Sequence, residues 1–263
     1  MRIELGCQNR PWSEYTLEEA LGGIAGAGFE IVGFVAQQSR PVISADSTDE
    51  DMARLKELLQ SHSLRPQMAI RQPNLWELPE AEAVSVFLRD MERGKALGLD
   101  YFILTGISDE KRYESWFRAV EACLPRAAEL GLHLLLKPHG GLCALAEDLQ
   151  RAVDRFAHPA FGICYDPGNV YYYTGEKAEE DLPKIVQHVR AMCIKDEIGG
   201  KEGEVMITPG TGLVDFPRIF SILNDAGFSG PCWVECLGGK TVAEINAEAK
   251  KAYRFITEVV GRV

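Results

Sequence analysis

Residues 132–165 read LHLLLKPHGGLCALAEDLQRAVDRFAHPAFGICY, and this stretch decides the fold. Residues 132–136 are a short run that is apolar but for His133. Residues 145–156 then place apolar side chains at helical spacing with polar ones between them. Residues 161–165 form a second short apolar run. Strand, helix and strand in that order, with both strands mostly apolar, suit a parallel sheet covered on both faces.

The same unit repeats in both directions along the chain. Strands are expected at 3–7, 29–35, 66–70, 101–104, 132–136, 161–165, 189–194 and 232–234. Helices are expected at 17–27, 48–59, 80–97, 113–130, 145–156, 178–187, 216–226 and 242–260. Several helices carry their own punctuation. Gly28, Gly98, Gly131 and Gly227 stand where left-handed C-terminal stops are needed, and Thr48 precedes an acidic first turn. Eight strand–helix units in 263 residues match one α/β (β/α)8 TIM barrel, for which about 250 residues is usual. No Gly-x-Gly-x-x-Gly follows the first strand, which argues against an open dinucleotide-binding sheet. No linker or low-complexity segment divides the chain, so a single domain over 1–263 is expected.

Charge and cysteine usage narrow the function classes. The formal net charge is −11, without a basic cluster that would attract a phosphate backbone, so neither nucleic acid nor an anionic membrane is an expected partner. The seven cysteines are scattered without a Cys-x-x-Cys pair. The opening MRIELGCQNR is strand-like and lacks the basic and apolar regions of a signal peptide. A cytoplasmic protein with reduced, buried thiols is the expectation.

In a (β/α)8 barrel the chemistry sits at the C-terminal ends of the strands. Those ends carry Gln8-Asn9-Arg10, Gln37-Gln38, Arg71-Gln72, Lys137-Pro138-His139-Gly140-Gly141, Asp166-Pro167-Gly168-Asn169, Lys195-Asp196-Glu197 and Glu235-Cys236. Amides and charged groups match the hydroxyls of a sugar or polyol, and glycines let backbone approach a ligand closely. A lysine or glutamate ending a buried strand is costly without a role. Some of these residues also have ordinary readings. Cys193 could be a small buried hydrophobe, Arg71 a loop ion pair, and Asp166 a turn former before Pro167-Gly168. Tyr171-Tyr172-Tyr173 either lines a pocket or covers the rim.

The stretches LHLLLKPHGG, FGICYDPGNVYYYTG, AMCIKDEIGG, PGTGLVDF and GFSGPCWVE, in this order, resemble the xylose isomerase-like sugar phosphate isomerase/epimerase superfamily. That group includes hydroxypyruvate isomerase, ketose 3-epimerases and inosose dehydratase. The resemblance implies a divalent cation held by Glu, Asp, His and Glu at the ends of strands five to eight. Asp166 and Glu235 match two of those positions, whereas Lys137 and Cys193 stand at the other two. Asn169 occupies a place where relatives often carry a substrate-contacting His. Either one cation (Mn, Zn, Co or Mg) binds through Asp166, Glu235, His139 and Cys193, or Lys137 replaces it as a fixed charge. Burial lowers a lysine pKa and carboxylates raise it. Lys137 is therefore a base or nucleophile in one case and an oxyanion clamp in the other. No organic cofactor is expected.

The resulting expectation is a carbohydrate isomerase or epimerase that abstracts a proton next to a carbonyl. Lys137, Glu235, His139 and Asp166 would carry the chemistry, and Asn169, Arg71, Gln8 and Lys195 would hold substrate. A lyase of the inosose dehydratase type is the alternative, because the HG and DPGN stretches resemble it. A barrel that only binds a sugar or a partner is the alternative of another class. A related endonuclease would need a His-rich zinc cluster, and of five histidines only His139 sits at a strand end. Relatives often form dimers or tetramers, so a homo-oligomer is expected by analogy.

Overall fold

A computed structural model describes residues 2–262. Its strands are β1 (Arg2–Gln8), β2 (Ile31–Phe34), β3 (Arg65–Ile70), β4 (Tyr101–Leu104), β5 (His133–Leu136), β6 (Phe161–Tyr165), β7 (Val189–Ile194) and β8 (Ser229–Val234). All pair in parallel with their neighbours in sequence, and β8 closes on β1 to complete the barrel. The helices are α1 (Leu17–Ala27), α2 (Asp49–Ser61), α3 (Glu80–Leu97), α4 (Tyr113–Glu129), α5 (Ala146–Phe156), α6 (Pro167–Thr174), α7 (Ala178–Asp181), α8 (Phe216–Asp225) and α9 (Val242–Gly261). No helix among the described residues is long and apolar enough to cross a membrane.

The core divides as the pleat demands. One face of each strand packs outward on the helices, and the other fills the barrel with Ile31, Met68, Ile103, Leu135, Cys164, Ala191, Cys193 and Trp233. Trp233 is the largest of these inner side chains, and Gly6 on the adjacent strand makes room for it. A Cβ on Gly6 would lie 2.6 Å from the indole. Because successive side chains alternate, residues two positions beyond an inner one also point inward. Lys137 follows Leu135, Asp166 follows Cys164, Lys195 follows Cys193 and Glu235 follows Trp233.

Strand β8 starts at Ser229 rather than at 232, and three further local readings differ from expectation for a physical reason. Strand β2 starts at Ile31 rather than at 29, because the Phe29 N–H closes the end of α1 by donating to the Ile24 carbonyl. The helix expected over 178–187 stops at Asp181 and continues as two 3-10 turns, Leu182–Lys184 and Val186–His188, since Pro183 cannot donate to the preceding turn. Asp166-Pro167-Gly168 opens helix α6 instead of making a turn. Asp166 caps it by accepting from the Asn169 N–H at 3.0 Å, with Pro167 in the first turn, where no N–H is needed.

Candidate active site

Five consecutive strands around the barrel, β5, β6, β7, β8 and β1, place charged groups at one point. Glu235 lies at its centre. Its Oε2 accepts from Lys137 Nζ at 2.7 Å, and its Oε1 meets Lys195 Nζ at 2.7 Å and Arg10 Nη1 at 3.1 Å. Asp166 Oδ2 faces both ammonium groups, at 3.1 Å from Lys137 and 3.4 Å from Lys195. Lys195 also donates to Asn169 Oδ1 at 2.9 Å, and Asn169 Nδ2 donates to the Pro138 carbonyl at 2.6 Å. Gln8 Nε2 approaches Glu235 at 3.4 Å and Cys193 Sγ at 3.6 Å, while Gln8 Oε1 is buried without a hydrogen-bond partner. Gly168 allows the close packing of α6 on β7, since a Cβ there would lie 2.7 Å from both the Lys195 side chain and its carbonyl.

The geometry settles the protonation that sequence left open. Burial is the strongest single influence on Lys137 and opposes its charge. Glu235 and Asp166 nevertheless hold its pKa well above the ordinary lysine range. Lys195 is raised in the same way, burial opposing and Asp166 and Glu235 prevailing. Glu235 sits well below the ordinary glutamate range, because Lys137, Lys195 and Arg10 overcome its burial. Burial pushes the Cys193 thiol up, so it is neutral. Lys137 and Lys195 are thus fixed ammonium groups.

Other residues from the sequence reading lie at the edges of this cluster or away from it. His139 pairs with Tyr173, whose hydroxyl lies 3.2 Å from Nδ1, and is not among the groups within reach of one ion. Arg71 turns to the buried Asp90 of α3, with Nη2 2.7 Å and Nε 3.1 Å from Oδ2. That is its loop ion-pair reading. Arg10, named at the end of the first strand but given no role there, closes the cluster. It sits on a 3-10 turn (Arg10–Trp12) tied to the next strand end by Asn9, which accepts from the Val35 N–H at 2.7 Å and donates to Gln37 Oε1 at 2.7 Å.

The His139 imidazole is lowered from 6.5 to about 4, by burial first and then by Lys137 and Lys195. A depressed histidine contributes stability that is present above its unfolded pKa and is lost as pH falls through its folded one. Urea denaturation should therefore show a decline from about pH 6.5 toward about pH 4 that is shallower in His139→Phe. Equal slopes in the two proteins would refute this account of His139.

Beyond β7, Asp196 fixes the long loop over the rim. It is fully buried and accepts backbone N–H groups from Glu197 at 2.9 Å, Gly210 and Gly212 at 2.8 Å each, and Val214 at 3.1 Å. Asp196→Ala would leave several of those donors without a partner, at about 3 kcal/mol or more. The expected result is a lower urea midpoint and faster proteolysis within 197–214. Unchanged cleavage would mean that the loop is held by something else.

With this geometry in view, known proteins give a family. The model of the xylose isomerase-like TIM barrel family matches residues 23–259. The chain belongs to that family. Inosose dehydratase of Yersinia enterocolitica is 28% identical over 181 residues, which cover 59% of this chain and 60% of that protein. The chain spans between 50% and 64% of the length of the inosose dehydratases it matches. A xylose isomerase domain protein from Planctomyces limnophilus superposes with a TM-score of 0.78 at 17% identity, covering 100% of this chain and 98% of that one. D-allulose 3-epimerase from a Methylomonas species gives 0.78 at 17% identity, covering 98% of each chain. These superpositions speak to the fold.

Asp166, Cys193 and Glu235 bring donor atoms within 4.8 Å of one another, a spacing at which three side chains could hold one metal ion. In this xylose isomerase-like barrel, however, Lys137 and Lys195 both sit between the two carboxylates. Two ammonium groups supply the charge of one divalent cation, and they repel another. The third donor is a neutral thiol 3.7 Å from Cys164 Sγ. Asp166, Cys193 and Glu235 are thus the residues that could hold a divalent cation, and the two ammonium groups beside them are what such a cation would compete with.

Proposed function

We propose that this protein is a carbohydrate-acting isomerase or epimerase that abstracts a proton next to a carbonyl, with Lys137 and Lys195 taking the place of a metal. The observation that carries the reading is the pair of buried ammonium groups held between Asp166 and Glu235. Preorganised positive charge in a water-poor site stabilises the oxyanion that develops as an enediolate forms. Glu235 accepts the proton. Its basicity is low while three cations face it, and it rises as the substrate oxygen takes over Lys137. Asn169 and Gln8, both buried at the cluster, orient hydroxyls.

A lyase reading is favoured by the curated relatives, which are named inosose dehydratases. It shares the same first step. A neighbouring hydroxyl would then leave as water, taking the proton that Glu235 has accepted and so returning the carboxylate to its starting state. The seven free, buried cysteines support a reducing compartment, and we place the protein in the cytoplasm.

The test is proton exchange in D2O followed by NMR over a panel of ketoses and keto-polyols, in the presence of a chelator. Deuterium is expected next to the carbonyl, at a rate unchanged by the chelator. Product with a rearranged carbonyl or inverted carbon marks the isomerase, and an unsaturated or deoxy ketone marks the lyase. Saturable binding without exchange across the panel would mean a binding module and would overturn the proposal.

A further inference from the structure

The cluster holds more positive than negative charge. Lys137, Lys195 and Arg10 face Asp166 and Glu235, which leaves one positive charge without a protein partner.

The unspent donors point the same way. An ammonium group has three N–H donors, and Lys137 makes two charged contacts. Arg10 commits one nitrogen to Glu235, and its remaining donors have no protein partner among the described residues. It is also the member of the cluster that meets solvent, 37% exposed against 3% or less for the other four. Its cleft is shared with Ser13, Ser39, Met206 and the exposed Glu14. The buried Gln8 Oε1 lacks a donor, and a hydroxyl would supply one.

We infer that the substrate is a hydroxylated anion, a sugar-derived keto acid or a sugar phosphate, whose anionic group binds Arg10. This rests on the carbohydrate reading above and adds its charge. The planar guanidinium presents paired donors that suit a carboxylate or phosphate, while the hydroxylated carbon chain reaches inward to Gln8 and Lys137. An anion at Arg10 would also draw the guanidinium away from Glu235, leaving that carboxylate with one cation fewer.

The test is calorimetric binding of three matched compounds: D-fructose, 2-keto-D-gluconate and D-fructose 6-phosphate. At least one anion should bind about 10- to 100-fold more tightly than the neutral ketose, a preference that salt weakens. Which anion wins separates a carboxylate from a phosphate. In Arg10→Gln the preference should shrink to about twofold, and Arg10→Lys should retain part of it. Circular dichroism checks that both variants fold. Equal or tighter binding of the neutral ketose overturns the inference and leaves the proposed chemistry standing. A preference that survives in Arg10→Gln overturns the role of Arg10. Binding of none of the three, with no proton exchange either, overturns both readings.

Discussion

Glu235→Gln is expected to lower stability by about 3–5 kcal/mol and to reduce proton exchange by about 10²- to 10⁴-fold. The substitution keeps the shape of the side chain and removes only its charge. Lys137, Lys195 and Arg10 would then share Asp166 alone, in a place where two of the three cations are almost fully buried. Uncompensated buried charge is what makes breaking such a pair costly. For a domain of this size, the shift in melting temperature would be about 6–20 °C. The pH dependence has a definite sign. Glu235 has a depressed folded pKa, so its contribution is present above the ordinary glutamate value of 4.5 and is lost as pH falls through the folded one. The stability gap between native protein and variant should stay constant from neutral pH down to about 4.5 and close only below it. A variant that melts within about 2 °C of the native protein would show that the cluster is not the electrostatic unit described above.

Lys137→Glu should convert the site into a cation binder. The change puts a carboxylate where the superfamily resemblance places its first metal ligand, beside Asp166 and Glu235. It also turns the balance of the cluster from one net positive charge to one net negative charge. Titration with Mn²⁺ should give about one equivalent bound to the variant and none held stoichiometrically by the native protein. Lys137→Met separates loss of the ammonium from gain of the carboxylate. It should lose about 10²- to 10³-fold in exchange rate, the scale seen when a single oxyanion donor is removed, without acquiring the metal. One equivalent of Mn²⁺ bound tightly by the native protein would sink the idea that ammonium groups replace the cation.

The barrel was readable in the sequence because most of its strands are largely apolar runs closed by a polar rim. The inward direction of Lys137, Asp166, Lys195 and Glu235 follows from strand alternation once the runs are placed. Their protonation does not follow, since burial and the carboxylates push Lys137 in opposite directions and only distances decide between them. Arg10 was legible at the end of the first strand but was given no role, because an arginine on a turn carries no periodic signal that says where its side chain goes. Arg71 looked equally suited to the rim, but its partner Asp90 lies on the following helix, and a charge pair 19 residues apart leaves no pattern. Asp-Pro-Gly could be read as a turn because those residues favour turns and helix starts alike, and the packing of α6 against Lys195 chose the second.

The charged cluster draws on β5, β6, β7, β8 and β1, one contiguous arc of the barrel. The rim above β2, β3 and β4 contributes no charged group to it; Arg71, at the end of β3, is already engaged by Asp90. The fold therefore separates two duties by sector. Substitutions or insertions after β2, β3 and β4 can reshape what the mouth admits while the proton-transfer groups keep their spacing. That sector is where a lineage built on this scaffold can diversify its diet, and where a library aimed at new substrates should be placed.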